Sequence, residues 1–271
     1  MIVEGNSSFS PNSYKGKLCI EHWEKLKLPI EVKSFSKISR EALYLAHDKS
    51  YVDGVLDLRI ANGYGTKDQA IADSLPFVVS SMVEASLYSF LTGENSVSPT
   101  GGFHHAGYFS GGGYCSFNGL VVAAQMVHAL STKKIGILDL DQHYGDGTEE
   151  IIKQLGLDYI HHYTSGEEHI TTKGAEHWLQ ELPERLHEFE GCDLIIYNAG
   201  VDSAATDPLG GYLTDEQMLK RDQLVFETFN QLNVPVAWCN AGGYEADIEG
   251  SLAPVIRRHT NTLKACLQFS D

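Results

Sequence analysis

Short apolar runs alternate with amphipathic segments along most of the chain, and this alternation constrains the fold more than any other feature. Apolar, β-branched runs predict buried strands at residues 135–141, 159–163, 194–197 and 234–239. Pro76 is expected to bend or split the first predicted helix. Helices are predicted at residues 69–94, 119–130 and 175–189, from near Thr148, from the capping box Thr214-Asp215-Glu216-Gln217, and at residues 251–267. This order predicts an α/β fold whose mostly parallel sheet is covered by helices on both faces.

The length and composition favour one packed domain. The chain has 271 residues, 42% of them hydrophobic, and contains no linker, low-complexity run or internal repeat, so residues 1–271 are expected to form a single domain. Its five cysteines are an odd number without a Cys-x-x-Cys pair, which favours reduced thiols. The N-terminus carries no evident signal peptide, and no run approaches the length of a membrane span. We therefore expect a cytoplasmic protein that does not bind a membrane.

The net charge of −16 limits the classes of partner. The phosphates of nucleic acid would be repelled by this charge, so direct binding to nucleic acid is not expected. The charge is compatible with a cationic substrate or partner, although solubility alone is a sufficient reason for it. The composition leaves the oligomeric state open.

Polar side chains follow the predicted strands at the points where those strands end. Asp139, Asp141 and His143 stand at alternate positions, so their side chains can point to one face. Asp202 follows the strand at residues 194–197, and ligands in open α/β sheets bind beyond the carboxyl ends of strands. Carboxylates and an imidazole are suitable ligands for Zn²⁺, and a set of three would leave a position for water and substrate. The alternative is that these are ordinary loop, turn and helix-cap residues.

A glycine-rich loop carries two adjacent histidines, His104 and His105. Paired imidazoles near a metal-activated water can serve as a general base and as an acid or electrostatic partner. Each imidazole then needs an orienting carboxylate, and Asp139 and Asp146 are available on either side of the metal ligands. The strand at residues 234–239 leads into Gly242-Gly243-Tyr244, which is either a tight turn or the source of a functional phenol.

Six short motifs stand in a fixed order between residue 101 and residue 244. They are Gly-Gly-Phe-His-His-Ala (101–106), Gly-Gly-Gly-Tyr-Cys (111–115), Asp-Leu-Asp-Gln-His-Tyr-Gly-Asp-Gly-Thr (139–148), Asn-Ala-Gly-Val-Asp (198–202), Asp-Pro-Leu-Gly-Gly (207–211) and Gly-Gly-Tyr (242–244). With these motifs the chain resembles, from about His47 to its C-terminus, the histone deacetylases and acetylpolyamine amidohydrolases of the arginase/deacetylase fold. The phrasing of the motifs is most similar to that of class IV histone deacetylases.

The resemblance implies a metal centre. Asp141, His143 and Asp202 would bind the catalytic ion, which is Zn²⁺ with Fe²⁺ as the alternative. A structural K⁺ ion would lie beneath that ion, on backbone oxygens around Asp139, Asp141 and His143. Residue types and spacing alone leave the identity of the metal open.

The resemblance also implies catalytic and substrate-binding roles. His104 and His105 would form the imidazole pair, with Asp139 oriented toward His104 and Asp146 toward His105. Tyr244 would donate its hydroxyl to the substrate carbonyl. Gly113 and Tyr114 would line the tunnel that holds the acyl group.

These roles predict a zinc-dependent amide hydrolase that removes an acyl group from an N-acylated amine by metal-activated water, a histidine pair and an oxyanion-stabilising tyrosine. Acyl-lysine in a peptide or protein is the first expected substrate, and an acylated small amine such as an acetylpolyamine is the alternative. Two other possibilities are a catalytically silent acyl-lysine-binding module and a binuclear ureohydrolase of the same fold. The ureohydrolase would need additional carboxylates at both metal motifs, and the sequence does not supply them.

The chain departs from the family pattern at four places. Tyr144 stands where many members have another histidine, and Asn240-Ala241 replaces an acidic residue and a glycine before Gly-Gly-Tyr. Tyr114 stands where phenylalanine is more frequent. Residues 1–46 lack the His-Pro-rich segment that is common in the family, so the sequence does not predict the mouth of the pocket.

Overall fold

The protein is described here from a computed structural model that covers residues 10–131 and 133–269. Within these residues the helices are α1 (Asn12–Lys25), α2 (Arg40–Leu43), α3 (Lys49–Leu56), α4 (Gln69–Thr92), α5 (Gly119–Ser131), α6 (Asp146–Leu155), α7 (Ala175–His187), α8 (Asp215–Gln231) and α9 (Ala253–Leu267). The strands are β1 (Ser96–Ser98), β2 (Ile135–Asp139), β3 (Ile160–Thr164), β4 (Leu194–Asn198) and β5 (Val236–Cys239). A short 3₁₀ helix, Ser165–Glu168, follows β3.

The strands form one parallel sheet in the order β1-β5-β4-β2-β3. The chain leaves β2 for β3 on one side, then returns to β4 on the other side of β2. The strand order therefore reverses between β2 and β4, and such a reversal opens a crevice at the carboxyl ends of the two strands. Asp139, the last residue of β2, pairs with Asn198, the last residue of β4, so both strands end at the same level.

Helices cover both faces of the sheet because successive strand side chains point to opposite sides. Leu194 and Ile196 of β4 pack into a core with α3, α4, α5 and α6. Ile195 and Tyr197 of the same strand pack into a second core with α1, α7, α8 and α9. The prediction of an α/β fold with a parallel sheet covered on both faces is thus confirmed.

Helix α4 differs from its prediction in two respects. It continues unbroken past Pro76, so the expected split is wrong. A proline lacks the amide that would bond one turn back, but α4 is packed against α5, β1 and β5, and the Pro76 carbonyl accepts a bond from the Ile38 amide at 3.3 Å. The helix is also long and apolar enough to cross a membrane by length and composition alone, which the sequence analysis had not found. More than half of its apolar window is buried within the protein, as in a core helix.

Candidate active site

Two carboxylates and an imidazole meet in the crevice between β2 and β4. Asp141 and His143 follow β2, and Asp202 follows β4. The Nδ1 atom of His143 lies 3.1 Å from Asp141 Oδ1 and 3.1 Å from Asp202 Oδ2. One ligand atom from each residue lies within 4.8 Å of the others. The structure therefore brings together the three residues that the sequence predicts as metal ligands.

The loops that carry these ligands are held close by a glycine and an arginine. A Cβ on Gly200 would lie 2.3 Å from the Cα of Asp141, so no larger residue fits there without a shift. Arg221 of α8, which is fully buried, donates from one nitrogen to the carbonyls of Leu140 at 3.1 Å and Gly200 at 2.7 Å. The guanidinium is paired at 2.8 Å with Asp222, which compensates its buried charge. The sequence analysis did not identify Arg221, since its partners are backbone atoms distant in sequence.

The electrostatics of this group favour a bound cation. Burial, and then the negative charge of Asp141, raise the pKa of Asp202 to about 7. Hydrogen bonds to Asp141 and Asp202 raise the pKa of His143 to about 11 in the metal-free protein. A proton on His143 thus offsets one of the two negative charges that these buried carboxylates can carry, and a divalent ion would replace it. Two carboxylates and one imidazole are donors that Zn²⁺ accepts, so the residues present fit a zinc ion.

The adjacent histidines lie beside this group, each bonded to its own carboxylate. His104 Nδ1 lies 2.8 Å from Asp139 Oδ2, and His105 Nδ1 lies 2.7 Å from Asp146 Oδ1. A carboxylate only accepts, so Nδ1 of each ring carries the hydrogen and each Nε2 is left for other partners. The two ring centroids are 4.1 Å apart, and His104 Nε2 is 3.7 Å from Asp141 Oδ1. The pairing implied by the resemblance is the pairing observed.

The two imidazoles have opposite protonation preferences. Burial disfavours the charged form of His104, but Asp139 and Asp141 outweigh burial and raise the pKa of His104 to about 9. Burial, and then the charge on His104, lower the pKa of His105 below its ordinary value. Near neutral pH, His104 is therefore charged and His105 neutral, and a nearby cation would lower both values.

A buried histidine outside the predicted set supports the loop of His104. Burial lowers the pKa of His47 to about 4, so its imidazole is neutral. His47 Nδ1 donates to the Gly107 carbonyl at 2.7 Å, and its Nε2 accepts from the Asn118 amide at 2.8 Å. Asn118 in turn donates to Thr148 Oγ1 at 2.9 Å, and the Thr148 amide donates to the His104 carbonyl at 3.0 Å. This chain of bonds fixes the loop that carries His104.

Tyr244 follows two glycines with left-handed backbone angles, φ 54° at Gly242 and 89° at Gly243. A Cβ on Gly242 would lie 2.3 Å from Asp202 Oδ1, so the turn passes directly over a predicted ligand. Burial, and then the charges of Asp202 and Asp141, raise the pKa of the Tyr244 phenol above its ordinary value. The phenol therefore stays protonated and is able to donate a hydrogen bond.

A buried lysine from α1 holds this turn. The Lys15 ammonium donates to the Gly242 carbonyl, and its side chain is 1% exposed. Burial lowers the pKa of Lys15, while the charges of Asp202 and Asp141 act in the opposite direction. The sequence contains no signal for this role, because Lys15 lies in the N-terminal segment that departs from the family pattern.

The two residues predicted to line an acyl tunnel lie against the histidines and the tyrosine. A Cβ on Gly113 would come within 2.5 Å of the His105 ring, so the glycine allows the loop to pass this ring. The ring of Tyr114 lies 5.9 Å from that of Tyr244 and 5.8 Å from that of Tyr64. Tyr64 was not predicted, since the motifs begin well after it in the sequence.

The sequence and the fold are both similar to those of known proteins. Residues 11–163 match the Histone deacetylase domain family. Histone deacetylase 2 of Arabidopsis thaliana is 29% identical over 166 residues, which cover 53% of this chain and 43% of that protein. Acetylpolyamine amidohydrolase of Mycoplana ramosa is 29% identical over 170 residues, which cover 52% of this chain and 49% of that protein. The chain thus spans about half the length of these two relatives.

A solved structure has the same fold. The crystal structure of the HD domain of HDA15 superposes with a TM-score of 0.77, covering 98% of this chain and 85% of that one. The two sequences are 19% identical, so this comparison supports the fold alone. The predicted resemblance in fold is confirmed.

Proposed function

The chain belongs to the histone deacetylase family, and on that premise we propose that it is a zinc-dependent amide hydrolase that removes an acyl group from an N-acylated amine. The observation that carries the proposal is the meeting of three groups in one crevice. These groups are a three-ligand metal site, a pair of carboxylate-bonded histidines, and a protonated tyrosine beside them. An amide hydrolase needs an electrophilic centre, a base and an oxyanion donor, and the crevice contains a candidate for each.

Each side chain has a role that follows from its contacts. When bound, the metal ion would supply a Lewis acid that polarises the substrate carbonyl and activates water. His105 is neutral and its Nε2 is not the atom bonded to Asp146, so it accepts the proton of the attacking water and returns a proton to the departing amine as the C–N bond breaks. His104 is positively charged beside Asp139, so it stabilises negative charge that develops at the carbonyl. The Tyr244 hydroxyl donates to the same oxygen.

We propose acyl-lysine in a peptide or protein as the substrate, with an acylated small amine such as an acetylpolyamine as the alternative. The relatives support both, since one is a histone deacetylase and another an acetylpolyamine amidohydrolase. An acetylpolyamine keeps positively charged amines elsewhere in the molecule, and a chain of net charge −16 attracts a cationic substrate.

Release of acetate from an acetyl-lysine peptide and from an acetylated polyamine tests this proposal directly. We expect turnover on at least one of the two by the zinc-loaded protein. Binding of the acetylated peptide without turnover would instead identify a silent acyl-lysine-binding module. Absence of both turnover and binding would contradict the proposal.

The bound metal is proposed to be a single ion. The ureohydrolase alternative needs further carboxylates around a second ion, and the described part of the chain contains one group of three candidate ligands. Fe²⁺ suits the same donor set and is an alternative to Zn²⁺. A K⁺ ion beneath the site is a further proposal from the family resemblance. One of its expected ligands, the Asp141 carbonyl, accepts a bond from Ser165 Oγ at 3.1 Å.

The rate of hydrolysis is expected to rise and then fall as pH increases. The rise follows loss of the proton from His105, whose pKa is lowered, and the fall follows loss of the proton from His104, whose pKa is raised to about 9 without metal. The two rings interact, so the midpoints of kcat/KM belong to the pair. Replacing His105 with alanine should reduce turnover by about a hundredfold or more and abolish the acidic limb.

The matched control for the histidine pair is His177→Ala, because the side chain of His177 is 76% exposed on α7. It should leave the pH profile unchanged. His104→Ala and His105→Ala should both retain the metal, since neither residue is among the proposed ligands. Loss of the metal from either variant, measured by elemental analysis, would show that the division between ligands and acid–base residues is wrong.

A further inference from the structure

The turn that carries Tyr244 is held by further side chains besides Lys15. Gly242 and Gly243 have no side chains and leave the backbone of the turn flexible. The position of the Tyr244 phenol therefore depends on the contacts made by the neighbouring residues. The Tyr244 amide donates to Asp207 Oδ2 at 2.8 Å. Asp207 is itself anchored, since its Oδ1 accepts from the Leu209 amide at 3.0 Å and its side chain is buried.

The next residue, Glu245, enters a closed ring of polar contacts. Its Oε2 accepts a hydrogen bond from Thr206 Oγ1 at 2.7 Å and lies 2.6 Å from a guanidinium nitrogen of Arg258. Arg258 also donates to Thr206 Oγ1 at 2.9 Å. Thr206 and Asp207 are consecutive, as are Tyr244 and Glu245, so two adjacent residues of one loop hold two adjacent residues of the other.

Arg258 connects this ring to the helices. It lies in α9 with its side chain 4% exposed, and its Nε donates at 2.7 Å to Asp215 Oδ1. Asp215 is the first residue of α8 and lies within the capping box that Thr214 and Gln217 form. A buried guanidinium with two hydrogen-bonded partners and a third partner in an ion pair is rigid, because moving it would leave charges desolvated and unpaired.

From these contacts we propose that Thr206, Glu245 and Arg258 form a positioning clamp for Tyr244. The clamp fixes the turn after Gly243 and sets the phenol where the substrate carbonyl oxygen lies. None of the three residues touches the substrate or the metal in this account, so each acts through Tyr244. The inference rests on the proposed function in one respect, which is that Tyr244 donates a hydrogen bond to the oxyanion.

Glu245→Gln is the variant that tests the clamp. It keeps the size of the side chain and removes the charge, while Arg258 retains its pairing with Asp215, so the protein should fold. Misplacement of a catalytic group by an ångström costs up to about a hundredfold, and we expect kcat to fall by roughly tenfold or more. KM and metal content should stay within about twofold of the wild-type values, because substrate binding and the ligands are not altered.

Two controls separate positioning from general stability. Arg257→Met removes the neighbouring arginine, which pairs with the same Asp215 but is 58% exposed, and it should not change kcat. In a Tyr244→Phe background, Glu245→Gln should cause less than about a twofold further loss, because the group that it positions is absent. A loss of equal size in both backgrounds, or no loss in either, would overturn the proposal.

Hydrogen exchange over residues 242–249 provides a readout that does not depend on turnover. Glu245→Gln should speed exchange in this segment, and Arg257→Met should not. Absence of amide hydrolase activity in the wild-type protein would contradict the proposed function. Hydrogen exchange would then be the only test of whether the clamp holds the turn. Unchanged exchange in Glu245→Gln would show that the ring does not hold the turn.

Discussion

Replacement of Asp202 by alanine is expected to remove the bound metal and at least about a thousandfold of the turnover. Asp202 is the proposed ligand that follows β4, and without it Asp141 and His143 offer two donors from one loop. Loss of Lewis-acid chemistry is worth several kcal/mol, and each 1.36 kcal/mol is a factor of ten in rate. Metal content by elemental analysis and turnover on the best substrate, measured on the same sample, check both parts of this expectation.

The Asp202→Ala variant should remain folded. The pKa of Asp202 is raised by burial and by Asp141, so its carboxylate is destabilised in the metal-free protein. Asp158→Ala, at an exposed position before β3, is the control and should keep both metal and activity. A full complement of metal in Asp202→Ala would rule out the assignment of this ligand.

Replacement of Tyr244 by phenylalanine is expected to lower kcat by about a hundredfold to a thousandfold while the metal stays bound. The phenol is protonated because burial and the charges of Asp202 and Asp141 raise its pKa. Removal of one preformed oxyanion donor costs about 2.7–4 kcal/mol in other enzymes. Steady-state kinetics with KM reported separately measure the effect, because an interaction made only in the transition state lowers kcat and kcat/KM equally.

Tyr159→Phe is the control for loss of a phenol. Tyr159 stacks on His128, ahead of the amino end of β3 and away from the crevice, so its hydroxyl has no role in the proposed chemistry. Its kinetics should match those of the wild type. Wild-type turnover in Tyr244→Phe would instead show that the tyrosine has no role in the mechanism. Positioning of Tyr244 by Glu245 and Arg258 would then have no effect on catalysis.

The sequence predicts the central strands and the ligand loops because their signals are local. The runs that form β2 and β4 are apolar throughout, as buried parallel strands are, and polar residues follow each directly. Strand β2 nevertheless ends at Asp139, two residues before the predicted end. Asp141 and His143 thus belong to the loop, where their amides donate to the carboxylates of Asp139 and Asp141 respectively.

The elements that the sequence analysis missed have weak local signals. Strand β1, Ser96–Ser98, is three residues long and pairs with β5 alone, so its apolar pattern is too short to recognise. Helices α1, α2 and α3 precede the first recognised segment, and α1 has a mixed composition. Its most informative residue, Lys15, gains a role only from the fold, which places it beneath Gly242.

The supporting residues of the site are invisible in sequence for the same reason. Arg221 bonds to the carbonyls of Leu140 and Gly200, and His47 bonds to the backbone at two positions of the segment between β1 and α5, Gly107 and Asn118. A carbonyl oxygen is present at every position, so nothing in the sequence marks it as a partner. Side chains that contact the metal or the substrate must have particular chemistry, and these are the residues that the motifs contain.

Turnover titrated against bound metal tests the central claim most directly. Metal-free protein would be loaded with increasing Zn²⁺, and acetate release from the best acetylated substrate would be measured with the ion content of the same samples. The account predicts that activity rises from zero and saturates at one ion per chain, with none gained by Asp202→Ala. Activity in the metal-free protein, or saturation only at two ions per chain, would contradict a single-ion site formed by Asp141, His143 and Asp202.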